Sequence, residues 1–131
     1  MYFAMNDAID TGTTIQSTIS EGAEAYGAPR SAVLVDDDPL VHLTWKMYAK
    51  MTGVVFAAYK TPEEFMEAGV SRDCEVYVDS DLGGDLKGEE FARMLFSVGY
   101  RNITLATGHS PDSFPAMPWI KNIIGKDPPW A

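Results

Sequence analysis

The stretch Ala32-Val33-Leu34-Val35-Asp36-Asp37-Asp38-Pro39 decides the fold class. Four β-prone apolar residues in an unbroken run read as a strand buried on both faces, the pattern of a parallel sheet. The run stops at three carboxylates, and Pro39 stands where a proline opens a helix. Beyond it Leu40, Leu43, Met47 and Met51, with Val41 and Tyr48 beside them, recur at three and four residues up to Gly53. That spacing predicts an amphipathic helix with those residues as its apolar stripe.

Downstream the alternation repeats. Val54 to Ala58 is a second apolar run, and Thr61-Pro62-Glu63-Glu64 combines an N-cap, a proline at the first helical position and a glutamate placed for a capping box. A short helix to about Ala68 is predicted. Glu75-Val76-Tyr77-Val78 reads as a third strand, ending at Asp79 and Asp81 before a loop with Gly83, Gly84 and Gly88. Glu89 to Val98 reads as a helix with Phe91, Leu95 and Val98 on one face, and Asn102 to Ala106 as a fourth strand ending at Thr107-Gly108. Pro111, Pro115 and Pro118 leave at most a turn or two of helix before Ile120 to Ile124 and Lys126. Strand and helix alternating at these lengths predict an α/β domain, a parallel sheet with helices on both faces joined by right-handed crossovers.

The bulk properties narrow the function. A chain of 131 residues fits one domain, and 46% apolar against 22% charged residues is the composition of a chain that folds. Residues 1–30, rich in Ser, Thr, Glu and Ala, read as an N-terminal extension or linker with one candidate helix over Ile15 to Ala25. The domain itself is assigned to residues 31–131. Ten basic against nineteen acidic residues give a net charge of −9, which disfavours direct nucleic-acid binding. No run approaches the roughly 20 apolar residues of a membrane span, and the N-terminus lacks the basic start of a signal peptide, so membrane insertion and secretion are not expected. The lone Cys74 cannot form an internal disulfide and reads as a small buried residue, in keeping with a cytoplasmic protein.

In open parallel sheets, functional groups gather beyond the carboxyl ends of the strands. The distinctive residues fall there: Asp36 and Asp37 after the first strand, Asp79 after the third, Thr107 after the fourth, Lys126 after the fifth. Carboxylates converging on one edge repel one another unless a cation sits among them, and Mg2+ with oxygen ligands is the expected one. A lysine and a threonine hydroxyl nearby can neutralise and hydrogen-bond phosphoryl oxygens, and a carboxylate can itself be the nucleophile, giving an aspartyl phosphate.

Four motifs, Val33-Leu34-Val35-Asp36-Asp37-Asp38-Pro39, Val76-Tyr77-Val78-Asp79 running to Gly88, Leu105-Ala106-Thr107-Gly108 and Gly125-Lys126, occur in one order at strand ends. Over about residues 31–131 the chain thereby resembles the receiver domains of bacterial two-component response regulators and hybrid histidine kinases. The resemblance implies a flavodoxin-like doubly wound sheet of five strands in the order 2-1-3-4-5. It implies that Asp79 accepts a phosphoryl group from a phosphohistidine of a histidine kinase or histidine phosphotransfer protein. Asp36 and Asp37 would hold Mg2+ with Asp79, directly or through water, and the backbone carbonyl of Asp81 would add a ligand. Thr107 and Lys126 would bind the phosphoryl oxygens. No activity beyond Mg2+-dependent self-phosphorylation and self-dephosphorylation is implied, and the family leaves room for a homodimer.

The chain also departs from the family pattern. The loop from Asp79 to Gly88 lacks the usual proline and is longer than the commonest form, which raises Asp81 as an acceptor beside Asp79, with strand register favouring Asp79. Ile123 stands three before Lys126, where many receivers keep a switch aromatic. The fourth helix reads as reduced and the fifth as absent, which resembles the terminal module of a hybrid kinase more than a free regulator. Gly12-Thr13-Thr14-Ile15 resembles the end of a kinase ATP-binding domain. Two other classes stay open: a haloacid-dehalogenase-like phosphatase, because Asp79-Ser80-Asp81 matches that group's Asp-x-Asp motif, and a phosphate-independent receiver-like interaction module. The Asp81 and Asp85 side chains read as ordinary loop carboxylates, and the three loop glycines as serving turns. His42 and His109 have no partners at metal-ligand spacing, and His109 is the better placed to flank the site. Trp45, Trp119 and Trp130 read as packing residues, with Trp119 a candidate to cover the shortened sheet edge.

Overall fold

Each of the five apolar runs becomes a strand, and each strand pairs parallel to its neighbours. The computed structural model describes residues 30–131. In order it has β1 (Ser31–Val35), α1 (Pro39–Thr52), β2 (Val55–Tyr59), α2 (Pro62–Ala68), β3 (Glu75–Val78), α3 (Gly88–Ser97), β4 (Ile103–Ala106), a 3₁₀ turn (Pro111–Ser113) and β5 (Asn122–Ile124). The expected extension, with its helix over Ile15 to Ala25, lies outside the described residues apart from Arg30.

The sheet order is β2-β1-β3-β4-β5, the doubly wound 2-1-3-4-5 arrangement. β1 lies between β2 and β3 and is buried from Ala32 onward, as its unbroken apolar run requires. Its last residue is in register with that of β3, Val35 opposite Val78, and the Asp79 N–H donates to Val35 O at 2.9 Å. Asp36 and Asp79 therefore leave the sheet side by side at the point where the strand order reverses.

The helix signals are realised as capping chemistry. Asp38 accepts from the Leu40 N–H at 2.9 Å and caps α1, so the triple aspartate divides into two site residues and one cap. Gly53 ends α1 with φ 78°, a left-handed conformation glycine adopts without a Cβ penalty. Thr61 caps α2 by accepting from the Glu64 N–H at 3.1 Å, while Glu64 reaches back one residue further than a standard box, to the Lys60 N–H at 2.9 Å.

The buried face of α1 differs from the expected one. Leu40 and Met51 are 71% and 74% exposed, and Leu43, Met47 and Tyr48 are exposed as well. The residues turned to the sheet are Trp45 and Ala49, with half-buried Val41, a row spaced by four residues. Trp45 packs there in one cluster with Ala32, Leu34 and Ala58 of the sheet and with the rings of Phe56 and Tyr77. Val98, expected on the buried face of α3, is instead its C-cap and is exposed, whereas Phe91 and Leu95 are buried. Trp119 is half-buried and packs against the core on the α3 side of the sheet. Its indole donates to Glu89 O at 3.0 Å and Arg93 stacks 5.4 Å from its ring, fixing it against α3.

Only a 3₁₀ turn stands in place of a fourth helix, and among the described residues none follows β5. On the α1-side face of the sheet Trp130 packs there, 8% exposed, with ring centroids 5.3 Å from Trp45, 5.6 Å from Phe56 and 5.9 Å from Tyr77. Farther along this face the residues are polar. The Tyr77 hydroxyl donates to Glu75 at 2.7 Å, and Arg30 holds the same carboxylate at 2.7 Å.

Burial, and then the bond donated to Glu75, push the Tyr77 phenol from 10.0 up to about 12. A pKa raised by folding contributes stability that is complete below the unfolded value and lost as pH rises through the folded one. The unfolding midpoint is therefore expected to fall between pH 10 and about 12, and Tyr77→Phe to flatten that decline. Equal alkaline slopes in the two proteins, measured by denaturant titration, would remove Tyr77 as the cause.

Candidate functional site

The site is assembled by strand register. Asp36 is fully buried; its Oδ1 accepts from the Asp38 N–H at 2.8 Å and its Oδ2 receives Lys126 Nζ at 2.7 Å. Asp79 is 6% exposed and receives the same ammonium on Oδ1 at 2.9 Å. Lys126 arrives from beyond β5, and the Trp45 indole N–H donates to its backbone carbonyl at 2.8 Å. The Trp45 side chain that fills the α1 face thus also anchors the lysine. Asp37 is exposed, yet one carboxylate oxygen each from Asp36, Asp37 and Asp79 lie within 4.8 Å of one another. Gly83 makes room for this, since a Cβ there would come within 2.6 Å of Asp37 Oδ2, and its φ of 79° is left-handed.

Three carboxylates face one ammonium, an excess of two negative charges. Burial raises Asp79 above the usual carboxylate range; the hydrogen bond and charge of Lys126 offset this only in part, and Asp36 adds to the rise. Burial pulls the Lys126 ammonium down, but its bonds to Asp36 and Asp79 outweigh that and raise it. The lysine is thus held charged, but its single ammonium is shared between Asp36 and Asp79 and leaves the cluster short of positive charge. Oxygen-only donors, one of them open to solvent, fit a hard divalent cation that keeps several waters, as Mg2+ does.

Thr107 follows β4, is 2% exposed, and is fixed by its N–H bond to Ile124 O at 2.9 Å. Its Oγ1 accepts from the His109 N–H at 3.1 Å and lies 2.8 Å from Ser80 Oγ. Asp81 is the expected site residue whose side chain is not brought in. Its carboxylate is exposed and accepts from the Gly83 N–H at 3.3 Å, while its backbone N–H faces Asp79. His42 is half-buried with its ring Nε2 against the Asp36 backbone oxygen, and the exposed His109 ring sits edge-on to Phe114 at 6.3 Å.

Ser80, the Trp45 anchor and the individual roles of Gly83 and Gly88 have no mark in the sequence. At Gly88 a Cβ would lie 1.7 Å from Asp79 O and 2.8 Å from Ser80 Cα, so α3 begins directly on the end of β3. A glycine read as a turn residue carries no such signal, because the approach is made by segments joined only in the fold.

Lys126→Met leaves Asp36 and Asp79 uncompensated. Removing one partner of a fully buried pair costs about 3–5 kcal/mol, here discounted to about 2 because 34% of the lysine side chain meets solvent. The loss is expected at neutral pH, to shrink as acid protonates the carboxylates, and to be partly recovered by Mg2+. Denaturant midpoints equal to those of the parent chain in chelator would contradict this.

No protein-family model matches the sequence, and no curated protein matches it significantly. Solved structures do match. A CheY-like response regulator receiver domain from Methylobacillus flagellatus aligns with a TM-score of 0.64 at 16% identity, over 76% of this chain and 87% of that one. The chain has the receiver-domain fold. A second CheY-like receiver, from Methanospirillum hungatei JF-1, aligns at 0.64 and 17% identity over 76% of this chain and 82% of its own. The BeF3-activated DrrB receiver domain aligns at 0.63 and 19% identity over 76% and 86%. In this receiver fold the acidic cluster and Lys126 lie at the sheet's switch point, where such sheets place their ligands. No helix among the described residues is long and apolar enough to cross a membrane.

Proposed function

We propose that the chain is a phosphoacceptor receiver of a two-component phosphorelay, with Asp79 taking a phosphoryl group from the phosphohistidine of a histidine kinase or histidine phosphotransfer protein. The observation that carries this reading is the buried Asp79 carboxylate, bonded to Lys126 at 2.9 Å and grouped with Asp36 and Asp37 at the switch point. In the transfer, an Asp79 carboxylate oxygen attacks phosphorus, the new O–P bond forms, and the P–N bond breaks with its electron pair returning to the imidazole. Asp36, Asp37 and Asp79, with the Asp81 backbone carbonyl, would hold Mg2+, which supplies charge neutralisation for phosphoryl oxygens when bound. Lys126 meets one phosphoryl oxygen with its ammonium, and Thr107 donates its hydroxyl to another. Water attacking phosphorus later restores the carboxylate and releases inorganic phosphate, so each cycle consumes only the phosphoryl donor. The phosphoryl group carries about −1.5 to −2, of which one charge replaces that of the Asp79 carboxylate, and its bulk and remaining charge rearrange the loops that carry Asp79 and Thr107.

The phosphatase reading loses the second carboxylate of its motif, because Asp81 is exposed and bonded within its own loop. The test is incubation with Mg2+ and acetyl phosphate followed by intact-mass measurement. A single phosphoryl adduct, absent in chelator, is expected. No adduct from a protein that binds Mg2+ would replace this reading with a phosphate-independent module, and sustained hydrolysis of an added phosphate ester would replace it with the phosphatase.

A further inference from the structure

Ser80 follows the acceptor in sequence and is buried beside Thr107, at 6% and 2% exposure respectively. Their hydroxyl oxygens are 2.8 Å apart, and among the described residues this is the only hydrogen bond of the Ser80 side chain. A hydroxyl has one proton and two lone pairs. One lone pair of Thr107 Oγ1 takes the His109 N–H at 3.1 Å. With Ser80 donating, both lone pairs are filled and the Thr107 proton alone is left to bond. A phosphoryl oxygen on Asp79 is an acceptor that needs that proton. Ser80 cannot easily withdraw, since the Gly88 N–H holds its carbonyl at 3.0 Å and the start of α3 abuts its Cα with no room for a Cβ.

We propose that Ser80 is a positioning residue for phosphoryl recognition: its hydroxyl donates to Thr107 Oγ1 and directs the Thr107 proton toward a phosphoryl oxygen on Asp79. This rests on the phosphoacceptor reading and adds a group that reading does not use. The two hydroxyls form a donor chain, Ser80 to Thr107 to phosphoryl oxygen, in which each bond polarises the next. The support comes from the loop just after β3, one residue from the acceptor, whereas β5 offers only Ile123.

The test uses beryllofluoride as a phosphoryl mimic, titrated in Mg2+ against the whole chain, with Mg2+ affinity and melting measured separately to report the metal site and the fold. Ser80→Ala is expected to bind the mimic about fivefold more weakly, the scale of one net hydrogen bond. Ser80→Cys, with a weak donor of similar size, is expected to fall between, and it carries the test should the alanine variant fold poorly. In a Thr107→Val background the Ser80→Ala effect is expected to vanish, because the two act through one bond. Unchanged or tighter binding by Ser80→Ala, or an effect that survives Thr107→Val, overturns the proposal. Failure of the parent chain to bind beryllofluoride in Mg2+ instead overturns the phosphoacceptor reading on which it rests.

Discussion

Asp79→Asn takes up no phosphoryl group from Mg2+ and acetyl phosphate, while Asp81→Asn is expected to be labelled as the parent chain is. The first loss is complete, because a carboxamide offers no carboxylate oxygen to form the acyl phosphate. The contrast follows from placement: Asp79 is buried on Lys126 at 2.9 Å, whereas the Asp81 carboxylate is exposed and held by the Gly83 N–H. Stability separates this loss from unfolding. Burial makes the Asp79 charge unfavourable in the fold, so neutralising it is expected to leave the melting temperature at or above that of the parent. Intact mass and a melting curve on the same samples check both. A label that survives Asp79→Asn and disappears with Asp81→Asn would move the acceptor two residues along the loop.

Trp130→Ala is expected to cost about 3 kcal/mol, the low end for emptying a site of a large aromatic. Its indole packs edge-on against Trp45, Phe56 and Tyr77, with Arg30 at 5.4 Å from its ring, and among the described residues no helix covers this face after β5. The cost sits at the low end because the Trp130 indole N–H is buried with no hydrogen-bond partner among the described residues, and removing the side chain relieves that donor. For the same reason Trp130→Phe is expected to stay within about 1 kcal/mol of the parent. Guanidinium midpoints measure both. An alanine variant as stable as the parent would show that Trp130 does not hold the sheet face closed.

The parts of this fold that could be read in the chain are those in which a residue acts on its near neighbours. The apolar run of β1, the Pro39 start of α1, the Gly53 stop and the Thr61 cap are all local, and each stands where its pattern puts it. The acidic site was readable for a related reason. In a parallel sheet every strand delivers its C-terminal residue to the same edge, so knowing the strand ends is enough to bring Asp36, Asp37, Asp79, Thr107 and Lys126 together.

The buried face of α1 could not be read that way. Leu40, Leu43, Met47 and Met51 form as regular an apolar stripe as Val41, Trp45 and Ala49, and periodicity ranks the two faces by residue type alone. The choice was made by the packing of Trp45 on Phe56, Tyr77 and Trp130 and by a carbonyl 81 residues away that accepts its N–H. The same holds for Asp81, whose exposed carboxylate turns to the Gly83 N–H of its own loop, a bond the motif does not show.

The order of short segments along the chain set the class of fold and the sheet edge to which Asp36, Asp37, Asp79 and Lys126 are delivered, because strand length, turn residues and charge are local properties. Tertiary structure alone decided which face of α1 is buried, that Trp130 closes the sheet, that Gly83 and Gly88 make way for Asp37 and Ser80, and that a serine hydroxyl stands behind Thr107. Each of these depends on atoms far apart in the chain meeting within a few ångströms, and the close packing of the folded interior sets such meetings.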